Sequence, residues 1–372
     1  MDFSLNEFQS MMRDSAARFI KEKYGFAARR QLVASEQGYS EENWALFAEL
    51  GWLALPVAEA YGGLGGDLVD TMVLQLELGK GLVVEPYFST VLLSSGLIQR
   101  LGGEVQKLDL LSRVISGKLK LAFAYAESHF SYDVSQTAAT ANLVGDHYVI
   151  NGHKAVVLGA KTADRILVCA RTPGGISVFL VDPEQPGVRL RSFVTNHGYQ
   201  AAELILEQVE VGREAMLGDS NDSLPAINIV LDHGIVALCA EAVGAMEKLV
   251  NTTTEYVKTR EQFGQKIGRF QVLQHRLVDM FIEYEQSKSM LYFAAMQLAQ
   301  EGLESRRAAS MLKVKIGSSS RFIGQQAIQL HGGMGMTDEL DVGHYFKHMT
   351  AINCLLGSRD YHLQRLVDGF GS

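Results

Sequence analysis

From Asn6 to Lys23, apolar residues recur every three or four positions, at Phe8, Met11, Met12, Ala16, Phe19 and Ile20, and this spacing predicts an amphipathic helix. Similar patterns over residues 41–54, 67–81, 88–100 and 106–115 predict four more helices. They are punctuated at Pro56, Gly62 to Gly66 and Gly102-Gly103. At about Leu119 the texture changes. Short β-branched runs such as Leu119–Ser128, His147–Gly159, Arg165–Thr172, Gly175–Asp182 and Ala201–Val211 follow one another, broken by Gly, Asn, Asp or Pro. That rhythm predicts an antiparallel β domain, with Asn151-Gly152 as its best hairpin signal. Beyond Asn221-Asp-Ser223 and Pro225 the helical period returns in four long stretches, beginning with a proline-free run of some 34 residues. The others cover Phe270 to Glu301, Arg306 to Leu330 and Tyr345 to Val367. The fold class expected is therefore α+β, mainly α. It has an N-terminal helical domain over residues 1–118, a middle antiparallel β domain over 119–222 and a C-terminal four-helix bundle over 223–372.

Composition narrows the function more than the fold. With 372 residues, 47% of them hydrophobic, the chain can bury a large core spread over two or three domains. A net charge of −8 leaves no global basic field for nucleic acid, so no nucleic-acid partner is expected. Cys169, Cys239 and Cys354 form neither a CxxC pair nor an even framework, which suits a reducing, cytoplasmic setting. The first residues lack the basic-then-apolar order of a secretory signal, and no run of ~18 uninterrupted apolar residues predicts a membrane span. Neither Tyr61-Gly-Gly-Leu-Gly-Gly-Asp67 nor His331-Gly-Gly-Met-Gly-Met336 follows a strand in a βαβ unit. Dinucleotide fingerprints are thereby excluded. No phosphate-loop lysine motif, metal-ligand spacing or serine nucleophile elbow occurs either.

Two segments do suggest a ligand. The long helix closes on Tyr256-Val-Lys-Thr-Arg-Glu-Gln-Phe-Gly-Gln-Lys-Ile267, where the Arg260 guanidinium can grip a pyrophosphate and Phe263 can pack on a flat ring. A basic helix end by itself is more often a cap that complements the helix dipole. In Gln329-Leu-His-Gly-Gly-Met-Gly335, however, glycines would let a backbone approach a ligand closely, and the pair of segments favours a cofactor site.

Four pieces in register, namely Pro56 with Tyr61-Gly-Gly-Leu-Gly65, Tyr148-Val-Ile-Asn-Gly-His-Lys154, Thr259-Arg-Glu-Gln-Phe-Gly-Gln-Lys-Ile267 and Gln329-Leu-His-Gly-Gly-Met-Gly335, resemble the acyl-CoA dehydrogenases over nearly the whole chain. Within that family the stretches CAEAVGAM, GQQAIQLHGGMGMT and VGHYFKHMT are most similar to the small subunit of pimeloyl-CoA dehydrogenase. The resemblance implies FAD as cofactor, an acyl-CoA substrate and electron-transferring flavoprotein as acceptor. It also implies a homo- or hetero-tetramer with a related subunit, whose FAD is shared across an interface. Arg260 and Phe263 would contact the FAD of a neighbour, Gln329, Gly332 and Gly333 would lie against FAD, and Asp232 would contact the CoA arm. The arginine usually three residues later is Ile235.

Other family positions depart. The loop usually written TEPxxGSD is Ala126-Glu-Ser-His-Phe-Ser-Tyr-Asp133, and the tryptophan after NGxK is Val156. The reaction needs a carboxylate to remove the α-proton while the flavin takes a β-hydride. Yet the two positions where the family carries that glutamate hold Leu355 and Gly234. The nearest embedded acid is Glu241, seven residues past Gly234 and so ~10 Å along the helix. Three alternatives stand. Glu241 is the base; or it is a buried structural acid and a partner subunit supplies the base; or the base is displaced to Asp338, Glu339 or Asp341. The activity implied is dehydrogenation of a medium-chain or dicarboxylyl acyl-CoA to the trans-2-enoyl-CoA. The alternatives are a non-catalytic subunit that supports FAD, an oxygen-using flavin enzyme on the same fold, and a CoA-thioester binding protein without flavin.

Overall fold

The computed structural model describes residues 5–128, 132–218, 222–300 and 302–368. In chain order the helices and strands are α1 Glu7–Lys23, α2 Phe26–Ala34, α3 Glu41–Glu49, α4 Leu68–Gly81, α5 Ser95–Leu101, α6 Glu104–Ile115, β1 Leu121–Ala124, β2 Thr140–Val144, β3 His147–Leu158, β4 Arg165–Thr172, β5 Gly175–Val181, β6 Val188–Val194, β7 Gln200–Gly212, α7 Leu224–Thr259, β8 Glu261–Gln262, β9 Gln265–Lys266, α8 Gln271–Leu298, α9 Leu303–His331, α10 Val342–Cys354 and α11 Arg359–Asp368. Helices, then a sheet, then a helical bundle is the order that the hydrophobic pattern predicts. Asn221, His129, Phe130, Ser131 and Glu301, all used in the sequence reading, lie outside the described residues.

Contacts divide the chain into two compact units. One is helical and joins Met1–Arg30, Leu68–Val83 and Ile235–Ser372; the other contains the sheet and joins Gln31–Asp67 and Val84–Gly234. The helices of residues 1–118 are thus shared out, α1 and α4 with the C-terminal helices, α3, α5 and α6 with the sheet.

In the helical unit, α1 starts at a capping box: the Asn6 side chain accepts from Gln9 N at 2.8 Å and the Gln9 side chain accepts from Asn6 N at 3.1 Å. Its apolar stripe is the predicted one, with Met12, Ala16 and Phe19 buried. Helix α4 crosses α7 backbone to backbone. A Cβ on Gly79 would stand 2.0 Å from the Glu241 carbonyl oxygen and one on Gly244 1.9 Å from that of Leu76, so only glycine permits this crossing. Helix α7 is apolar enough and long enough to cross a membrane, although 83% of its most apolar window is buried inside the protein. The sequence expectation of no such segment counted only uninterrupted runs, which Asp232, His233 and Glu241 break. The predicted fourth bundle helix is two, α10 and α11, because the chain turns at Leu356 and Gly357 with φ of 54° and 108°.

In the sheet unit the predicted all-antiparallel pairing needs correction. β1 runs parallel to β4, with Leu121 opposite Arg165, and Thr140 of β2 also pairs in parallel with Arg171 of β4. Residues 125–164 are the cause: they hold the whole β2–β3 hairpin and bring the chain back in its original direction. The remaining pairs, β2–β3, β3–β7, β4–β5 and β6–β7, are antiparallel.

The hairpin expected at Asn151-Gly152 is corrected too. Those residues sit inside β3, and the turn between β2 and β3 falls at Gly145-Asp146. Asn151 instead serves a bulge in β7. Its Oδ1 accepts from the backbone N–H of Gln208, a residue at φ 52°, at 2.8 Å, where the register shifts between Ile150 and Gly152. Gly152 is needed because a Cβ there would lie 2.4 Å from that of Ala139. Ala141, Ile150, Val168, Phe179 and Leu204 fill the core of this unit.

Candidate functional site

At one end of the helical unit the chain leaves α7 and makes the two-residue hairpin β8–β9, closed by a bond from Ile267 N to Arg260 O at 2.9 Å. Phe263 and Gly264 occupy its turn with φ of 55° and 76°, the positive values a type I′ turn requires. For a bulky residue such as Phe263 that conformation is strained. The ring gains little from packing in return, since it is 90% exposed. Arg260 is exposed, and among the described residues none pairs with its guanidinium.

The glycine segment lies at the end of α9. Gln329, Gly332 and Gly333 are exposed, Gly332 has φ 60°, and a Cβ on either glycine would meet nothing within 4 Å. Tyr256, one turn before Arg260, stacks on His331, the residue before Gly332, with ring centroids 4.2 Å apart at 26°. The Tyr256 hydroxyl also donates to His331 O at 3.4 Å. The predicted cofactor residues therefore gather at one exposed end. Open backbone, an unpaired guanidinium and a free aromatic face suit an anionic ligand that carries a flat ring system.

The candidate acid sits in a different setting. Glu241 is buried on α7, and its Oε1 lies 3.2 Å from Nε2 of His348 on α10, also buried. Neither Leu355 nor Gly234 is ionisable, and the structure fastens the first of them. The buried Lys313 ammonium donates to the carbonyl of Ile352 at 2.6 Å and to that of Leu355. Burial pushes the Lys313 amine down to about 8. Nearby, Nε2 of the buried His362 donates to Leu356 O at 2.9 Å, and its Nδ1 meets Ser310 Oγ at 3.1 Å. Burial drives this imidazole down to about 3, so it stays neutral.

Of the displaced candidates, Asp338 and Glu339 are exposed and Asp341 is half-buried at the start of α10. A hydrogen bond from Lys347 at 3.3 Å, with the charges of Lys347 and His344, holds the Asp338 carboxyl below the usual range. That is the opposite of what a general base near neutral pH needs. Asp232, the residue expected against CoA, is 7% exposed in the first part of α7.

In the sheet unit, Glu127 belongs to the fold. It accepts from Ala138 N at 2.8 Å and Ala139 N at 3.1 Å, and pairs with the fully buried Lys154 ammonium at 2.6 Å. Burial alone would raise its carboxyl, but the Lys154 charge and these bonds hold it below the usual carboxylate range. Val156, where the family tryptophan would stand, is 38% exposed. No group of His, Cys, Asp and Glu among the described residues could hold a metal ion.

Sequence reasoning missed His348, Lys313 and His362. Each pairs with a group far away in the chain, and no spacing in the sequence reveals that partner.

Comparison with known proteins decides the family. Three acyl-CoA dehydrogenase domain profiles match in order: the N-terminal domain over residues 6–118, the middle domain over 122–209 and the C-terminal domain over 224–370. This chain belongs to the acyl-CoA dehydrogenase family. Among acyl-CoA dehydrogenases it is 30% identical to the probable acyl-CoA dehydrogenase YngJ of Bacillus subtilis, over 99% of this chain and 98% of that one. Among solved structures it is similar to the Tcur3481-Tcur3483 steroid ACAD, with 30% identity, 99% of each chain covered and a TM-score of 0.89. Butyryl-CoA dehydrogenase from Megasphaera elsdenii matches with 26% identity, 100% of each chain covered and a TM-score of 0.91.

Proposed function

We infer that this chain is a subunit of an FAD-dependent acyl-CoA dehydrogenase assembly that converts an acyl-CoA thioester to its trans-2-enoyl-CoA. In that assembly it grips the flavin, and a related partner subunit supplies the proton acceptor. FAD is the cofactor. When bound, it supplies the hydride acceptor for the substrate β-carbon. Arg260 would hold the pyrophosphate through charge-assisted hydrogen bonds, Phe263 would cover an apolar ring face, and Gln329, Gly332 and Gly333 would admit the rest of the molecule.

One contrast carries the reading. The flavin-type residues are all exposed at one end, while the nearest embedded acid, Glu241, is buried against His348. A carboxylate must receive the α-proton as the β-hydride leaves, and Leu355 and Gly234 cannot do so. A medium-chain or dicarboxylyl acyl-CoA, electron-transferring flavoprotein as acceptor, a tetramer with a related chain and a cytoplasmic location complete the proposal. The free thiols of Cys169, Cys239 and Cys354 suit that location.

One observation favours a second reading. Glu241 is a buried carboxylate next to an imidazole, an arrangement able to hold a proton, and in this reading it is the base itself. Co-purified assembly carrying Glu241→Gln separates the two. Turnover of a panel of acyl-CoA thioesters stays near wild type if a partner supplies the base, and disappears with flavin retained if Glu241 does. The flavin content of this chain purified alone tests the gripping role: colourless protein that gains FAD only with its partner is expected. Full FAD together with dye reduction by an acyl-CoA in the isolated chain overturns it.

A further inference from the structure

The flavin-gripping end has a mechanical problem. Arg260 lies just past the C-terminus of α7, where helices fray, and Gly332-Gly333 has no side chains with which to fix its own position. The two segments come from different helices, and a ligand that must touch both needs a constant distance between them.

We propose that Tyr256 and His331 form an aromatic clasp that sets this distance, which makes both of them positioning residues for the flavin. The proposal rests on the flavin reading of this end, and the contacts run without a break from one ligand group to the other. The Arg260 backbone N–H donates to Tyr256 O at 2.9 Å. The Tyr256 ring stacks on the His331 ring at 4.2 Å, and its hydroxyl reaches His331 O at 3.4 Å. Next in sequence is Gly332. The buried His331 is itself anchored one turn back, where Nδ1 donates to Ala327 O at 2.8 Å. Because a carbonyl only accepts, Nδ1 carries the proton. Burial pushes the imidazole below its ordinary value, so the ring that stacks is neutral. Of the two Tyr256 contacts the stacked ring is the stronger, since 3.4 Å is long for a hydroxyl donor.

The test measures the FAD dissociation constant of the co-purified assembly by flavin fluorescence, together with the melting temperature of the FAD-stripped protein. Tyr256→Leu and His331→Leu should each weaken FAD by on the order of 3- to 10-fold, the range an aromatic pair supplies, with the stripped protein melting as before. Tyr256→Phe, which keeps the ring, should bind FAD within about twofold of wild type. Arg260→Ala serves as the reference for the site itself. If Arg260→Ala loses FAD while Tyr256→Leu does not, the clasp is wrong and the flavin site survives; if Arg260→Ala binds FAD normally, both fail. The clasp is also overturned if Phe and Leu at 256 are equally impaired, or if weaker binding only follows a lower melting temperature.

Discussion

The end that carries Arg260, Phe263 and Gly332 uses polar chemistry in the opposite way to the two unit interiors, one holding Lys154 and Glu127 and the other Glu241 and Lys313. At the end, charge and aromatic surface are left exposed, a turn residue is held at positive φ, and the glycine backbone faces open space. Inside, each ammonium has acceptors: Lys154 has Glu127, and Lys313 has two helix-end carbonyls. An exposed guanidinium keeps its hydration until a ligand displaces the water, whereas a buried ammonium has exchanged water for protein acceptors and has nothing left for a ligand. The contrast separates ionisable residues whose hydrogen bonds the protein already takes from those, such as Arg260, whose donors stay open to solvent.

The sharpest way to break that comparison is inside the sheet. Lys154→Met strands the Glu127 carboxylate and should cost about 3–5 kcal/mol in denaturant unfolding at neutral pH. The wild-type pair should stabilise the protein above the unfolded carboxylate's titration near 4.5 and lose that contribution as pH falls through the lower folded value. A Lys154→Met protein that unfolds at the wild-type midpoint would mean that the pair is incidental.

Lys313 gives the next largest effect, in a separate and more alkaline window. Its amine titrates near 8 folded and near 10.5 unfolded, so between those values the unfolded chain binds more protons and stability rises with pH, by about 3 kcal/mol. Subtracting the pH profile of Lys313→Met from that of the wild type isolates the contribution. A flat difference between pH 8 and 10 would refute it.

At the exposed end the expected pattern reverses. Arg260→Ala should change unfolding free energy by no more than about 0.5 kcal/mol, as a surface substitution does. It should weaken FAD on the order of 10- to 100-fold, the worth of a charge-assisted pair. A large loss of stability would move Arg260 into the structural class. The smallest effect tests neither region: Asn6→Ala removes the cap of α1 and should cost about 1 kcal/mol.

The candidate cofactor segments were legible in the sequence because each is local. Thr259 to Ile267 and Gln329 to Gly335 are contiguous, and glycine, arginine and an aromatic carry their meaning in their own chemistry. The helices were legible for the same reason: the period of Met12, Ala16 and Phe19 is a property of one segment. The α2 helix and strands β2 and β6 escaped. The first is short, and β6 is largely exposed, so neither writes a strong apolar period. Asn151-Gly152 misled because a dipeptide that favours a turn also suits a bulge opposite Gln208.

The sequence by itself determined most of the helices and strands and which family they compose. Only the tertiary structure decided what the remaining polar residues do. Pairing partners such as Glu241 and His348, or Lys313 and the carbonyls of α10, lie tens of residues or more apart, and nothing in local periodicity specifies them. Burial sets the cost of each charge, and burial exists only once the helices have packed.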